Sequence, residues 1–132
     1  MPATTSNDHT STASILLVED SQVQALRLKM VLEENGYTVH WAETGNSGIE
    51  AARAQNFDLI VLDVELPDMN GFQVCRTFKS DPALSEVPII MLTKHDRAQD
   101  AMVGLEHGAI DYIPKDIFAD TVLLETIKQM DL

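Results

Sequence analysis

The sequence predicts a doubly wound α/β domain: a five-stranded parallel sheet in the strand order 2-1-3-4-5, with helices on both faces. Three observations lead there. Short apolar runs alternate with longer segments of helical periodicity, five times over. The run Leu59-Ile60-Val61-Leu62 is apolar at every position, as a strand covered on both faces must be. The strong runs also end on polar residues: Glu19-Asp20 after the first, Asp63 after the third and Thr93 after the fourth, with Lys115 just past the fifth. In a parallel sheet these ends share one edge, where open α/β sheets place their ligands.

Taken in order, residues 1–13 form a tail of small polar residues to which no structure is assigned. The folded domain is expected over 14–132. Ser14 to Val18 is the first strand. Ser21 to Gln24 fits a capping box opening a helix that runs to about Asn35, where Gly36 stops it. Ala25, Leu28, Val31 and Leu32 make its core face. Val23, Leu26 and Met30 form a second apolar stripe, wider than one helix face needs. Thr38 to Ala42 is a strand, and Thr44 to about Gln55 a helix weakened by Gly48.

The third strand leads into Pro67-Asp68-Met69-Asn70-Gly71, dense in turn formers, with Gly71 able to take a positive φ. A helix from about Phe72 to Ser80 turns Phe72, Cys75 and Phe78 inward and ends at Asp81-Pro82. Val87 to Leu92 is the fourth strand, its proline near the start, where a ladder donor is least missed. A helix from about Arg97 to His107 is closed by Gly108. Asp111 to Ile113 is the fifth strand, and Phe118 to about Met130 the last helix. With the chain ending there, output is expected to run through protein contact.

Composition narrows the function classes. The chain has 132 residues, 45% hydrophobic and 23% charged, which suits one ordinary globular domain. A formal net charge of −12 argues against a nucleic-acid partner and against anionic membranes. No apolar run approaches the roughly 20 residues of a membrane span, and residues 1–14 lack the pattern of a signal peptide. A single cysteine, Cys75, allows no internal disulfide, and the cytoplasm is the default location.

In the order 2-1-3-4-5 the first and third strands are neighbours at the switch point, so Glu19, Asp20 and Asp63 converge. Their mutual repulsion raises at least one pKa unless a cation intervenes. Oxygen ligands in that number suit Mg²⁺, or Mn²⁺. Taken singly, each residue has an ordinary reading: Asp63 a turn or cap, Glu19-Asp20 an N-cap pair, Thr93 a strand end, Tyr112 a half-buried aromatic, Lys115 a surface lysine. His9, His40, His95 and His107 show no ligand spacing.

Together these residues resemble the receiver domain of two-component response regulators. The match rests on Glu19-Asp20, Asp63 after Ile-Val-Leu, Pro67 to Gly71, Thr93 after Ile-Met-Leu, Tyr112 and Lys115, and spans about residues 14–130. The resemblance implies a flavodoxin-like fold and a single-domain, chemotaxis-type receiver. It implies that Asp63 accepts a phosphoryl group from a sensor histidine kinase or phosphotransfer protein. Glu19, Asp20, Asp63 and the backbone carbonyl of Glu65 would hold Mg²⁺, and Thr93 and Lys115 would serve the transfer. Thr93 and Tyr112 would form the switch that a downstream target protein reads. Such a protein catalyses only its own phosphorylation and dephosphorylation.

Departures from the pattern are specific. Lys94 follows the threonine where the family usually has a small residue; a long cation there would shield the phosphoryl group, slow access of small donors or point to solvent. Asp116 follows Lys115 where the family usually has a cis proline; here Pro114 precedes it. Glu19 replaces the commoner aspartate and keeps the charge. A pseudo-receiver, binding partners without phosphorylation, is the alternative that Lys94 and Asp116 suggest. A flavin carrier on the same topology is excluded by Glu19-Asp20, which would repel a flavin phosphate.

Overall fold

The centre of the computed structural model, which describes residues 12–94, 106, 108–116, 118–130 and 132, is the strand β3 (Leu59–Asp63), buried at all five positions. Its four aliphatic side chains are wholly excluded from solvent, and each contributes about 1.5–3 kcal/mol by that burial. The other strands are β1 (Ser14–Val18), β2 (Thr38–Ala42), β4 (Ile89–Thr93) and β5 (Asp111–Pro114). All pair in parallel, in the spatial order β2-β1-β3-β4-β5, as the sequence predicts. The register sets Leu17 opposite both Trp41 and Val61, and Asp63 opposite Leu92.

Alternate residues of each strand feed two cores. Leu16, Val18, Ile60, Leu62 and Met91 pack against Ile49 of α2 (Gly45–Ala54) and Val74, Cys75 and Phe78 of α3 (Gly71–Ser80). Ile15, Leu17, Leu59, Val61, Ile90 and Leu92 pack against Ala25, Leu28 and Leu32 of α1 (Gln22–Glu34) and Leu123 and Ile127 of α4 (Ala119–Gln129). That two-sided burial is the period-2 geometry of a strand under helices. Gly48 of α2 lies on β1, where an added Cβ would come within 2.8 Å of Val18 Cγ2, so close packing explains the poor helix former.

Several local expectations are refined. Ser21 caps α1 by accepting from Gln24 N at 3.3 Å, but its own N–H goes to Glu19 Oε2 at 3.1 Å rather than to the Gln24 side chain. Val31 is only partly buried, while Val23, Leu26 and Met30 are 76%, 50% and 60% exposed, so the second stripe of α1 is a solvent-facing apolar surface. β4 begins at Ile89, because Pro88 has no N–H to give the ladder; its carbonyl still accepts from Ile60 N. The helix expected over Arg97–His107 lies outside the described residues, apart from Glu106, which is helical. His9, His95 and most of the N-terminal tail also lie outside them. Among the described residues no helix is long and apolar enough to cross a membrane.

Gly71 departs from expectation most usefully. Among the described residues the positive-φ glycines are Gly36 and Gly108, not Gly71. Gly71 is required for a different reason: a Cβ there would collide with the Asp63 carbonyl oxygen and with Val64 Cα, which would stand 2.7 Å away. Its N–H donates to Val64 O at 2.7 Å, folding the loop back on the end of β3. Both collision partners are backbone atoms, so the strand end itself must move. Gly71→Ala is expected to destabilise the fold by about 1–3 kcal/mol. A urea unfolding curve whose midpoint matches the parent's would refute this account.

Candidate functional site

β1, β3, β4 and β5 deliver their carboxyl ends to one edge, and the residues singled out in the sequence meet there. Glu19 follows β1 and is 1% exposed; Asp63 ends β3 and is 3% exposed; Thr93 ends β4 and is fully buried. Asp20 is exposed at the mouth. Carboxylate oxygens of Glu19, Asp20 and Asp63 lie within 4.8 Å of one another.

Lys115, directly after β5, reaches into this group. Its Nζ lies 2.6 Å from Glu19 Oε1 and 3.1 Å from Asp63 Oδ2, and its backbone N–H donates to Thr93 O at 2.5 Å. No peptide bond among the described residues is cis, including Lys115-Asp116. Asp116 makes the turn instead: its N–H donates to Pro114 O at 3.1 Å and its Oδ1 accepts from Phe118 N at 2.8 Å, at the start of α4. The lysine is thus placed without a following proline.

The backbone that follows β3 holds the Asp63 carboxylate. Asp63 Oδ1 accepts from Glu65 N at 3.0 Å. Glu65 sits at the rim, bridged to Asn70, which carries the loop back to α3. Tyr112, in β5, is half-buried and packs on the core cluster beneath α2 and α3. Lys94 is exposed beside Thr93.

Burial pushes the Asp63 carboxyl up to about 7, with the neighbouring Glu19 carboxylate adding to the shift; Lys115 and the Glu65 N–H oppose it. Three carboxylates around one ammonium leave two uncompensated negative charges when all are ionised. That surplus, made of oxygen donors, fits a divalent cation such as Mg²⁺. The arrangement can hold such an ion, offer a carboxylate oxygen as nucleophile, and neutralise an incoming anionic group with Lys115.

Two contacts that support the site have no local signature. Asp68 caps α2 from a distance, its Oδ1 and Oδ2 accepting from Gly45 N at 2.8 Å and Asn46 N at 2.9 Å. Its slight burial disfavours ionisation, but the backbone N–H groups outweigh that and hold its pKa below the ordinary value. Trp41 donates its indole N–H to Glu19 O at 2.6 Å. Both pair residues more than twenty positions apart, and the spacing of neighbouring residues marks neither.

Comparison with known proteins agrees with this geometry. Residues 15–128 match the family described as the response regulator receiver domain. Protein PilH of Pseudomonas aeruginosa is 37% identical over 115 residues, covering 87% of this chain and 94% of PilH. The chain spans only 24–49% of the length of seven further relatives. A crystal structure of the signal receiver domain of a histidine kinase from Syntrophus aciditrophicus is 38% identical, covers 89% of each chain and superposes with a TM-score of 0.81. The receiver domain of sensor histidine kinase PA1611 from Pseudomonas aeruginosa, 29% identical with a TM-score of 0.81 over 90% of this chain and 97% of its own, has magnesium coordinated in its active-site cleft.

The raised Asp63 pKa carries a stability consequence. From an ordinary 3.8 to about 7 in the metal-free fold, the folded state keeps a proton that the unfolded chain has lost. The stability linked to this group is therefore complete below about pH 4 and is lost as pH rises through about 7. Without metal at pH 8, Asp63→Asn is expected to melt at least about 4 °C above the parent, with the gap narrowing toward pH 4. Mg²⁺ should raise the parent's melting temperature at pH 8 more than the variant's. A gap that is constant across pH in calorimetric melts would overturn this assignment.

Proposed function

The chain belongs to the response regulator receiver domain family, and on that premise we propose that Asp63 is its phosphoacceptor. The convergence of three carboxylates within 4.8 Å, with Lys115 against two of them, carries this reading. An Asp63 oxygen attacks the phosphorus of a phosphohistidine on a sensor histidine kinase or a phosphotransfer protein. The P–N bond breaks as the P–O bond forms, and the departing imidazole takes up a proton. Glu19, Asp20, Asp63 and the Glu65 backbone carbonyl would hold Mg²⁺, or Mn²⁺. When bound, the ion supplies positive charge to the oxygens of the transferring group.

The chain's own residues do the rest. Lys115 is positioned to exchange its contact with Asp63 for one with a phosphoryl oxygen. The buried Thr93 hydroxyl, at the end of the adjacent strand, donates to another. Glu65 N–H holds Asp63 Oδ1 and so orients the carboxylate. An aspartyl phosphate brings about two negative charges where one stood. The response of Thr93 and Tyr112 to that charge is the switch, and a downstream target protein reads it. Self-catalysed phosphorylation and dephosphorylation on Asp63, in the cytoplasm, completes the proposal. The folded receiver unit is 14–132.

Intact-mass measurement tests the chemistry. With acetyl phosphate and Mg²⁺ the parent is expected to gain one phosphoryl mass, and Asp63→Ala none. A gain in Asp63→Ala, or none in the parent, would sink the reading and leave a phosphorylation-independent binding module. The apolar stripe of α1, which opens beside the site, is proposed as the docking face for the phosphodonor protein. Leu26→Asp is expected to slow transfer from the cognate kinase about tenfold or more and leave acetyl phosphate labelling unchanged. Equal slowing of both would remove docking as the explanation.

A further inference from the structure

The last β1–β2 pair is Val18 with Ala42. Beyond it, Glu19 still gives its N–H to Ala42 O at 3.0 Å, but its carbonyl has passed the end of the ladder. β2 has turned toward Thr44, which caps α2 and gives its own N–H to Ser47 Oγ at 3.1 Å. Trp41 fills that gap with a side chain, its indole Nε1–H donating to Glu19 O at 2.6 Å. The ring is half-buried against the cluster beneath α1, so the donor has a fixed seat.

The atom held by Trp41 is the oxygen of the Glu19–Asp20 peptide. A peptide unit is planar, so holding its oxygen sets how the chain leaves Glu19 and enters Asp20. Those two residues supply two of the three clustered carboxylates. Glu19 is held at its side chain as well, by Lys115 at Oε1 and by Ser21 N–H at Oε2. Asp20 is exposed, and its orientation leans on the backbone.

We propose that Trp41 is a positioning residue for the divalent-cation site: its indole N–H holds the peptide plane that carries the Glu19 and Asp20 carboxylates. This rests on the reading of those carboxylates as cation ligands. The competing account is that a partly buried indole merely satisfies its own N–H on the nearest carbonyl. The two differ in what happens to Mg²⁺ when the hydrogen bond is removed and an aromatic ring still fills the position.

The test compares the full chain with Trp41→Phe by titration calorimetry with Mg²⁺, after metal-free melts establish that both are folded. Affinity is expected to fall about tenfold in Trp41→Phe, as when an outer hydrogen-bond partner of a metal ligand is lost. A second readout needs no variant. Trp41 is the chain's one tryptophan, so its indole N–H gives a single NMR resonance, expected to move on adding Mg²⁺ with the half-saturation seen by calorimetry. Equal affinity in the two chains, or an indole resonance indifferent to Mg²⁺ that binds, would overturn the role of Trp41 alone. Failure of the parent to bind Mg²⁺ at all would overturn both this inference and the function it rests on.

Discussion

The contact on which the site depends is the Lys115 ammonium set between the buried carboxylates of Glu19 and Asp63. Two carboxylates brought this close and stripped of water repel each other at short range in a poorly screening medium. One ammonium compensates one of them. Burial first, and the neighbouring Glu19 carboxylate second, raise the Asp63 pKa, and a bound cation would offset the surplus charge by direct coordination. The acid cluster is thus held short of charge balance by its position.

The rest of the molecule serves to bring those charges together. Each comes from a different strand end, and only the order β2-β1-β3-β4-β5 makes β1 and β3 neighbours with β4 and β5 beside them. Cores on both faces of the sheet fix the strands against sliding, because a one-residue slip would move every apolar side chain to the wrong face. Close approach of Gly71 to the end of β3 folds the intervening loop back on that strand end. The topology by itself hosts many activities. The reading as a phosphoacceptor comes from the charges.

Some of the site's precision comes from contacts far apart in the chain. Glu19 is held by Ala42 and Trp41 of β2, by Ser21 at the start of α1 and by Lys115 after β5. α2 is anchored at its N-terminus by Asp68 from the loop after β3. These bonds tie the two loops flanking Asp63 to the helices that start beside them.

By itself the sequence determined the fold class, the order of the strands and helices it marks, and the identity of the residues at the strand tips. Those signals are local: apolar runs, turn formers, a charged residue closing each run. Only the tertiary structure decided how the tips are held. The Ser21 N–H turned to Glu19 instead of Gln24, Gly71 was needed for close packing and not for a positive φ, Trp41 found the Glu19 carbonyl, and Asp68 capped a helix more than twenty residues upstream. Such contacts depend on strand register and on where loops cross in space, and neither is written in the spacing of neighbouring residues.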